Sequence, residues 1–460
     1  MTGVSGPVGL ANSLVGTAPA DRVGYRLTKL VSGGAVAQTQ SWNNGAAVDA
    51  GAATWINPGA PTIGEVSALN SLVGSTTNDR VSNSGVTALA NGNYVVASMN
   101  WNAPGASSAG AATWGDGMSG TTGVVSASNS LIGSTAYDNV GYNVVPLSNG
   151  HYVASSSFWD HAGLVDAGAV TWCDGFVGAA GPVNMSNSLV GGAMHDGVGS
   201  VQALPNGNYV VDSGGWANGA SADAGAVTWG NGLGGTSGLV SSANSFVGAN
   251  SESIAGRVRL LSGGAYAIVS YNWDDGARQD VGAVRWSDGL AAITGTHSST
   301  VSLLGASTGD FFGAIDDVGA GHFLLRSDRW SNGPAAFSGA IFSGNGAATG
   351  LITSENAWVG DSEGDSVGWD DPVIYPDGLF VLKARTFDHN GLQNVGAVTV
   401  GNRSVQPRGI VSEENSCIGT IEYGGVGNIA RFPNEQRVAV QSKGNRVVIF
   451  DLPMHADGFE

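Results

Sequence analysis

With 460 residues, 42% of them hydrophobic, 12% charged and 74 glycines, the chain has the apolar content for a packed core and the glycine for many turns. Its net charge of −18 is uneven, because Val81 to Gly256 carries no Lys or Arg. A phosphate backbone needs cations to neutralise it, which argues against nucleic acid and against anionic membrane surfaces, and no apolar run approaches the ~20 residues that insert across a bilayer.

The opening MTGVSGPVGLANSLVG lacks the basic segment and apolar core of a secretory signal, so either export does not use that route or a leader lies outside this sequence. NSLVG at Asn12 then recurs, intact or degraded, at Asn70, Asn129, Asn187, Asn244, Val301, Asn356 and Asn415, a period of about 58 residues. A fixed period signals a repeat architecture, and one repeat domain is expected over residues 1–460. Cys173 and Cys417 occupy different positions in different repeats, which favours structural free thiols over a disulfide.

Within the second repeat, Val86–Leu89 and Tyr94–Ser98 flank Asn91-Gly92, which reads as a two-residue type I′ hairpin. Ala109–Trp114 gives a third strand and Val124–Ile132 a fourth. The same turn is expected at Gly33-Gly34, Asn149-Gly150, Asn206-Gly207, Gly263-Gly264, Ala320-Gly321, Asp377-Gly378 and Asn434-Glu435. The third strand recurs at Gly51–Trp55, Gly168–Trp172, Gly225–Trp229 and Gly282–Trp286, and in weakened form at Gly339–Ser343, Gly396–Val400 and Arg446–Phe450. No segment has a sustained helical period.

A lone fourth strand before the first hairpin, and a last repeat without one, predict that Ser13–Val15 pairs with Val447–Phe450. The expected fold is therefore all-β, an eight-bladed β-propeller of four-stranded antiparallel blades closed by the N-terminal strand, with a linear β-solenoid as the alternative. Asp-x-Val-Gly at Asp21–Gly24 and Asp196–Gly199, Phe312-Gly313 after Asp310, the NGNYVV hairpin and the GAVTW strand resemble the FG-GAP repeats of integrin α-subunit propellers. They resemble more closely the Gly-rich repeats of unknown function in large bacterial surface proteins. That resemblance covers the whole chain and implies a propeller; it does not carry over the integrin calcium loop, since a two-residue turn cannot supply six to eight oxygens.

Two loop series are the candidate sites. Trp42, Trp101, Trp159, Trp216, Trp273 and Trp330, with Phe387 at the seventh copy, open the loop between second and third strands. They either form an aromatic ring that stacks on a glycan or holds a protein segment, or plug the gaps between blades, which is the commoner use of a repeated aromatic. Trp55, Trp114, Trp172, Trp229 and Trp286, ending the third strand, read as structural. Asp49, Asp166, Asp223 and Asp280 lie seven residues after the first Trp series, with Ser108, Phe337 and Asn394 at other copies, while Asp21, Asp79, Asp138, Asp196, Asp310 and Asp365 come from the loop between fourth and first strands. These carboxylates either pair around a hard cation such as calcium or bond turn amides, which is the commoner use of loop Asp, and no cofactor is expected.

No HExxH, GxSxG, Walker loop or Cys/His metal spacing is present, and His161 and His389 are isolated. Arg326, Arg329, Lys383, Arg385, Arg403 and Arg408 concentrate in the diverged half, where a unique site is expected. The resulting expectation is a non-enzymatic binding or adhesion module, extracellular or at a bacterial cell surface, with a glycan or protein ligand on the loop-rich face. A structural component of a filament, coat or virion, working by self-assembly, and a polysaccharide-acting enzyme are the alternatives.

Overall fold

The computed structural model describes residues 6–250, 258–346, 348–431, 437–442 and 446–451. These residues are all-β apart from a 3₁₀ turn at Ser262–Gly264, and no helix among them is long and apolar enough to cross a membrane. They fall into two compact units, residues 1–251 with 289–296 and residues 252–288 with 297–460.

Each repeat builds one antiparallel sheet. In the second repeat, Gly85–Ala88 pairs with Tyr94–Ser98, which pairs with Ala111–Gly115, which pairs with Ser130–Ile132. The expected fourth strand Val124–Ile132 is in fact two. Gly123–Val124 runs back to pair in parallel with Leu72–Val73, the fourth strand of the preceding repeat. The break is made by Asn129, whose Oδ1 accepts the Ser126 N–H at 2.9 Å while its Nδ2 donates to Val124 O at 2.9 Å. The Asn of NSLVG is thus a turn anchor. Equivalent parallel pairs join Gly64–Glu65 to Leu14–Val15, Gly181–Pro182 to Leu131–Ile132, and Gly238–Leu239 to Leu189–Val190 in the first unit. In the second they join Gly350–Leu351 to Leu303–Leu304 and Gly409–Ile410 to Trp358–Val359. The leading glycine of these strands sits at φ 98° in Gly64 and 99° in Gly123, a region that side chains rarely adopt.

The hairpin also differs from the type I′ expectation. Ala90-Asn91-Gly92 is a three-residue loop in which Gly92 N donates to Leu89 O at 3.1 Å and only Gly92 has positive φ. The same loop forms at Gly33 and Gly378, so it belongs to the repeat and not to Asn91, whose Nδ2 reaches Gly150 O and Gly175 O. Ala320 and Gly321, with φ of 52° and 76°, do form the two-residue turn. Asn434-Glu435 lies outside the described residues.

The core lies between consecutive sheets, not within one. Leu30, Val36 and Leu72 of one repeat pack with Tyr94, Val96 and Trp101 of the next, and Leu89, Val95 and Leu131 pack likewise with Tyr152 and Trp159. Buried hydroxyl pairs tie third to fourth strands, as in Thr54–Ser71 at 2.6 Å and Thr113–Ser130 at 2.7 Å. Close approach of neighbours fixes the first glycine of GAATW, because a Cβ on Gly51 would stand 2.3 Å from Val81 N. In the last repeat, Val426–Arg431, Arg437–Ser442 and Arg446–Asp451 form a three-stranded sheet, and Leu14–Val15 has Gly64–Glu65 as its partner.

Candidate functional site

Antiparallel strands bring the loop between second and third strands to the same end of the sheet as the loop that leads into the first. Asp79 fastens these two loops together. Its Oδ2 accepts the N–H groups of Ser75 and Thr76, each at 2.8 Å, and its Oδ1 accepts that of Asn102 at 3.1 Å. Asp21, Asp138, Asp196, Asp310 and Asp365 repeat the arrangement, all six carboxylates being buried. This series bonds turn amides. Burial pushes Asp310 and Asp365 up to about 6 against the N–H donors that act to lower them.

Asp49, Asp166, Asp223 and Asp280 share a left-handed backbone at φ 52°, one per repeat. The backbone N–H of Asp49 is held by Asn43 Oδ1 at 2.9 Å, and that of Asp166 by Asp160 Oδ1 at 3.0 Å, closing the loop on itself. Their carboxylates face Arg80 Nη2 in one case and His195 Nδ1 in the other, both at 3.4 Å. Among the described residues, no three His, Cys, Asp or Glu side chains converge as a metal would require.

Trp42, Trp101, Trp159, Trp216, Trp273 and Trp330 are only 3–7% exposed, and Phe387 is 1% exposed. Each sits in a cluster with aliphatic residues of its neighbouring strands, such as Trp216 with Leu147, Val153 and Leu189. The rings therefore pack between sheets, and the polar residues around them form the surface. Two positions after the Trp, Asn44, Asn218 and Asn332 each donate Nδ2 to a Gly carbonyl of the following NSLVG segment, Gly74, Gly248 and Gly360, at 2.8–3.0 Å. His161 fills the same role, with Nδ1 3.0 Å from Gly191 O and its ring stacked on Trp159. His389 stacks on Phe387 and reaches Glu413.

The second repeat has Ala103 at that position, which is too short to make the bridge. A groove of about 1070 Å³ opens there, lined by Ala103 together with Thr76, Asn78, Asn100, Asn102 and Ser126 among others. None of its lining residues is ionisable. Ala103 is legible in the sequence as a departure from the Asn, His or Asp of its sister repeats, whereas the groove itself depends on how the loops stand.

Three cations of the diverged half hold loops, while Arg329 lies over the Phe311 ring and Arg408 bonds Gln406 at the surface. Arg326 bonds Asp316 Oδ2 at 2.8 Å and Gly368 O at 2.9 Å, Arg385 bonds Asp370 at 2.6 Å, and Arg403 donates to Val318 O. In the fifth repeat His297 is buried between the hydroxyls of Ser270 and Ser302, and burial drops its imidazole to about 3, so it stays neutral. Cys173 is a free, buried thiol pushed up to about 12 by burial, and Cys417 is free and half-buried. Neither environment activates a nucleophile.

These features define a protein of tandem all-β repeats whose loops are fastened by buried carboxylates. The chain belongs to the family described as a repeat of unknown function, DUF5650, which matches it eight times, at residues 1–25, 29–83, 88–142, 146–200, 203–257, 260–314, 318–369 and 375–428. The family found is this one and not FG-GAP. No curated protein matches the chain.

Proposed function

We propose that the protein is a non-enzymatic binding module of a bacterial surface or secreted assembly, and that it takes a neutral glycan in the groove beside Ala103. The supporting observation is the lining: a mainly apolar surface carries side chains such as Asn78, Ser107 and Ser126 that can meet sugar hydroxyls, and no charged side chain favours an ionic ligand. A hydrolase would need a carboxylate pair across the groove, and the lining supplies none. The frame in this reading is a closed eight-bladed propeller akin to the FG-GAP type. The repeated four-strand antiparallel core and the last sheet, three-stranded among the described residues, support it.

Binding to an array of uncharged and charged polysaccharides tests the site. Retention of a neutral glycan is expected, with loss in Ala103→Asn, whose side chain would bridge to the following strand as Asn44 does. Equal binding by the Ala103→Asn variant, or preference for anionic glycans, would overturn the assignment.

A further inference from the structure

The other end of each sheet carries the hairpin turns and the loop that leaves the third strand. In the first unit these loops are held from two sides. Gly175 O accepts Asn91 Nδ2 at 2.7 Å, Asn93 Nδ2 at 2.9 Å and Trp114 Nε1 at 2.8 Å from the preceding repeat. Gly232 O accepts Asn149 Nδ2 and Trp172 Nε1, and Gly289 O accepts Asn206 Nδ2 and Trp229 Nε1. Within its own repeat, Gly117 N donates to Asn93 Oδ1 and Gly232 N to Asn208 Oδ1. A loop fastened at its glycine is pre-organised, so the side chain next in sequence is displayed at little entropic cost.

In four successive repeats that next side chain is large and apolar. Met118 is 75% exposed, Phe176 55%, Leu233 74% and Leu290 66%, with Val177 beside Phe176 at 75%. Single exposed apolar residues need no explanation, but a repeated one at the most solvated point of a clamped loop marks a contact surface. The same loops carry Asp116 and Asp174, whose Oδ1 atoms cap the turn by accepting the N–H of Met118 at 2.7 Å and of Phe176 at 2.8 Å. Asp174 lies 3.4 Å from His151 Nδ1 and keeps 37% of its side chain exposed, and the sequence from Val81 to Gly256 contains no Lys or Arg.

We propose that this row of apolar tips docks a partner segment in which apolar and basic residues alternate. Apolar side chains of the partner would meet Met118, Phe176 and Leu233, and its cations would meet Asp116, Asp174 and the net negative charge of these repeats. A second copy of this chain is the poorer occupant, since it would set acidic loop against acidic loop, and an anionic bilayer is disfavoured by the same charge.

A labelled peptide of repeating Leu-Lys-Lys-Leu pattern, with Leu-Glu-Glu-Leu as its control, tests this by fluorescence anisotropy. The lysine peptide is expected to bind, to weaken as salt rises, and to lose at least about tenfold in affinity against Met118→Ser/Phe176→Ser/Leu233→Ser, the order of loss expected when exposed apolar anchors of an interface are removed. That variant should melt at the wild-type temperature because the changed side chains are exposed, and Phe176→Ala provides a milder check. Ala103→Asn should leave the peptide affinity intact, which separates this surface from the groove. Equal binding of the glutamate peptide, or unchanged affinity of the triple variant, overturns the proposal. So does self-association of the wild type, or its binding to uncharged phosphatidylcholine vesicles, if the triple variant abolishes it.

Discussion

Removing the carboxylate of Asp79, itself buried, would leave the amides of Ser75, Thr76 and Asn102 without their acceptor in a partly buried turn. An orphaned buried donor costs about 1–3 kcal/mol and one that water can reach costs less, so Asp79→Ala is expected to lose about 1–3 kcal/mol in equilibrium unfolding. A loss under about 1 kcal/mol would show that the carboxylate is not the fastener between the two loops. Asp310 and Asp365 add a pH dependence. Their folded-state values, raised from 3.8 to about 6, mean that the fold prefers the protonated acid. Their contribution to stability is full below the unfolded value and is lost as pH rises through the folded one. Lowering pH from about 7 to about 5 should therefore increase the stability these two sites contribute in equilibrium unfolding, and Asp310→Ala with Asp365→Ala should remove that part of the pH dependence. The aromatic loop residues give a third expectation at this scale. Trp159 and Trp216 are 4% and 6% exposed, so replacing either by Ala should cost about 3–5 kcal/mol, the usual penalty for emptying a buried aromatic site. A melting temperature unchanged by Trp159→Ala would return the ring to the surface.

At the scale of the strand and turn, the sequence shows what is local and hides what is shared between repeats. Alternating apolar residues and Asn-Gly pairs locate the hairpin strands to within a residue or two, as with Tyr94–Ser98. A two-residue strand such as Gly123–Val124 has no period to read, and its partner Leu72–Val73 lies about 50 residues upstream. The turn type is hidden for a related reason: Asn91-Gly92 favours type I′ by its own propensity, but the pairing of Leu89 with Asn93 makes the loop three residues long, as it is at Gly33 and Gly378. At the candidate site, the loop positions are legible and so is the packing use of a repeated aromatic such as Trp101, yet nothing local says that Ala103 opens a groove. The clamp on Gly175 O is equally non-local, with donors from Asn91, Asn93 and Trp114. Three donors share a carbonyl with two lone pairs, so they compete. A double-mutant cycle with Asn91→Ala and Trp114→Phe should show a coupling of at least about 0.5 kcal/mol, whereas additive losses would mean that the donors act independently.

For the molecule as a whole, the question raised by the three-stranded last sheet is whether the proposed ring closes, and unfolding cooperativity can answer it. Buried clusters bridge consecutive repeats, as Leu30 and Val36 do with Tyr94 and Val96, so no repeat encloses its core alone. In an open array, stability is a sum over repeats and interfaces, and excising residues 129–186 would subtract roughly one repeat and leave the remainder folded. In a closed ring the same excision removes a wedge that the other sheets must redistribute. The variant is then expected to unfold at a much lower denaturant concentration, in a single transition. Deleting residues 1–16 should act in the same direction, because it takes away both the partner of Gly64–Glu65 and the strand proposed to complete the last sheet. Particle images supply the independent readout: a ring of eight lobes in the intact chain supports closure, and a curved rod with free ends rejects it in favour of a solenoid-like stack.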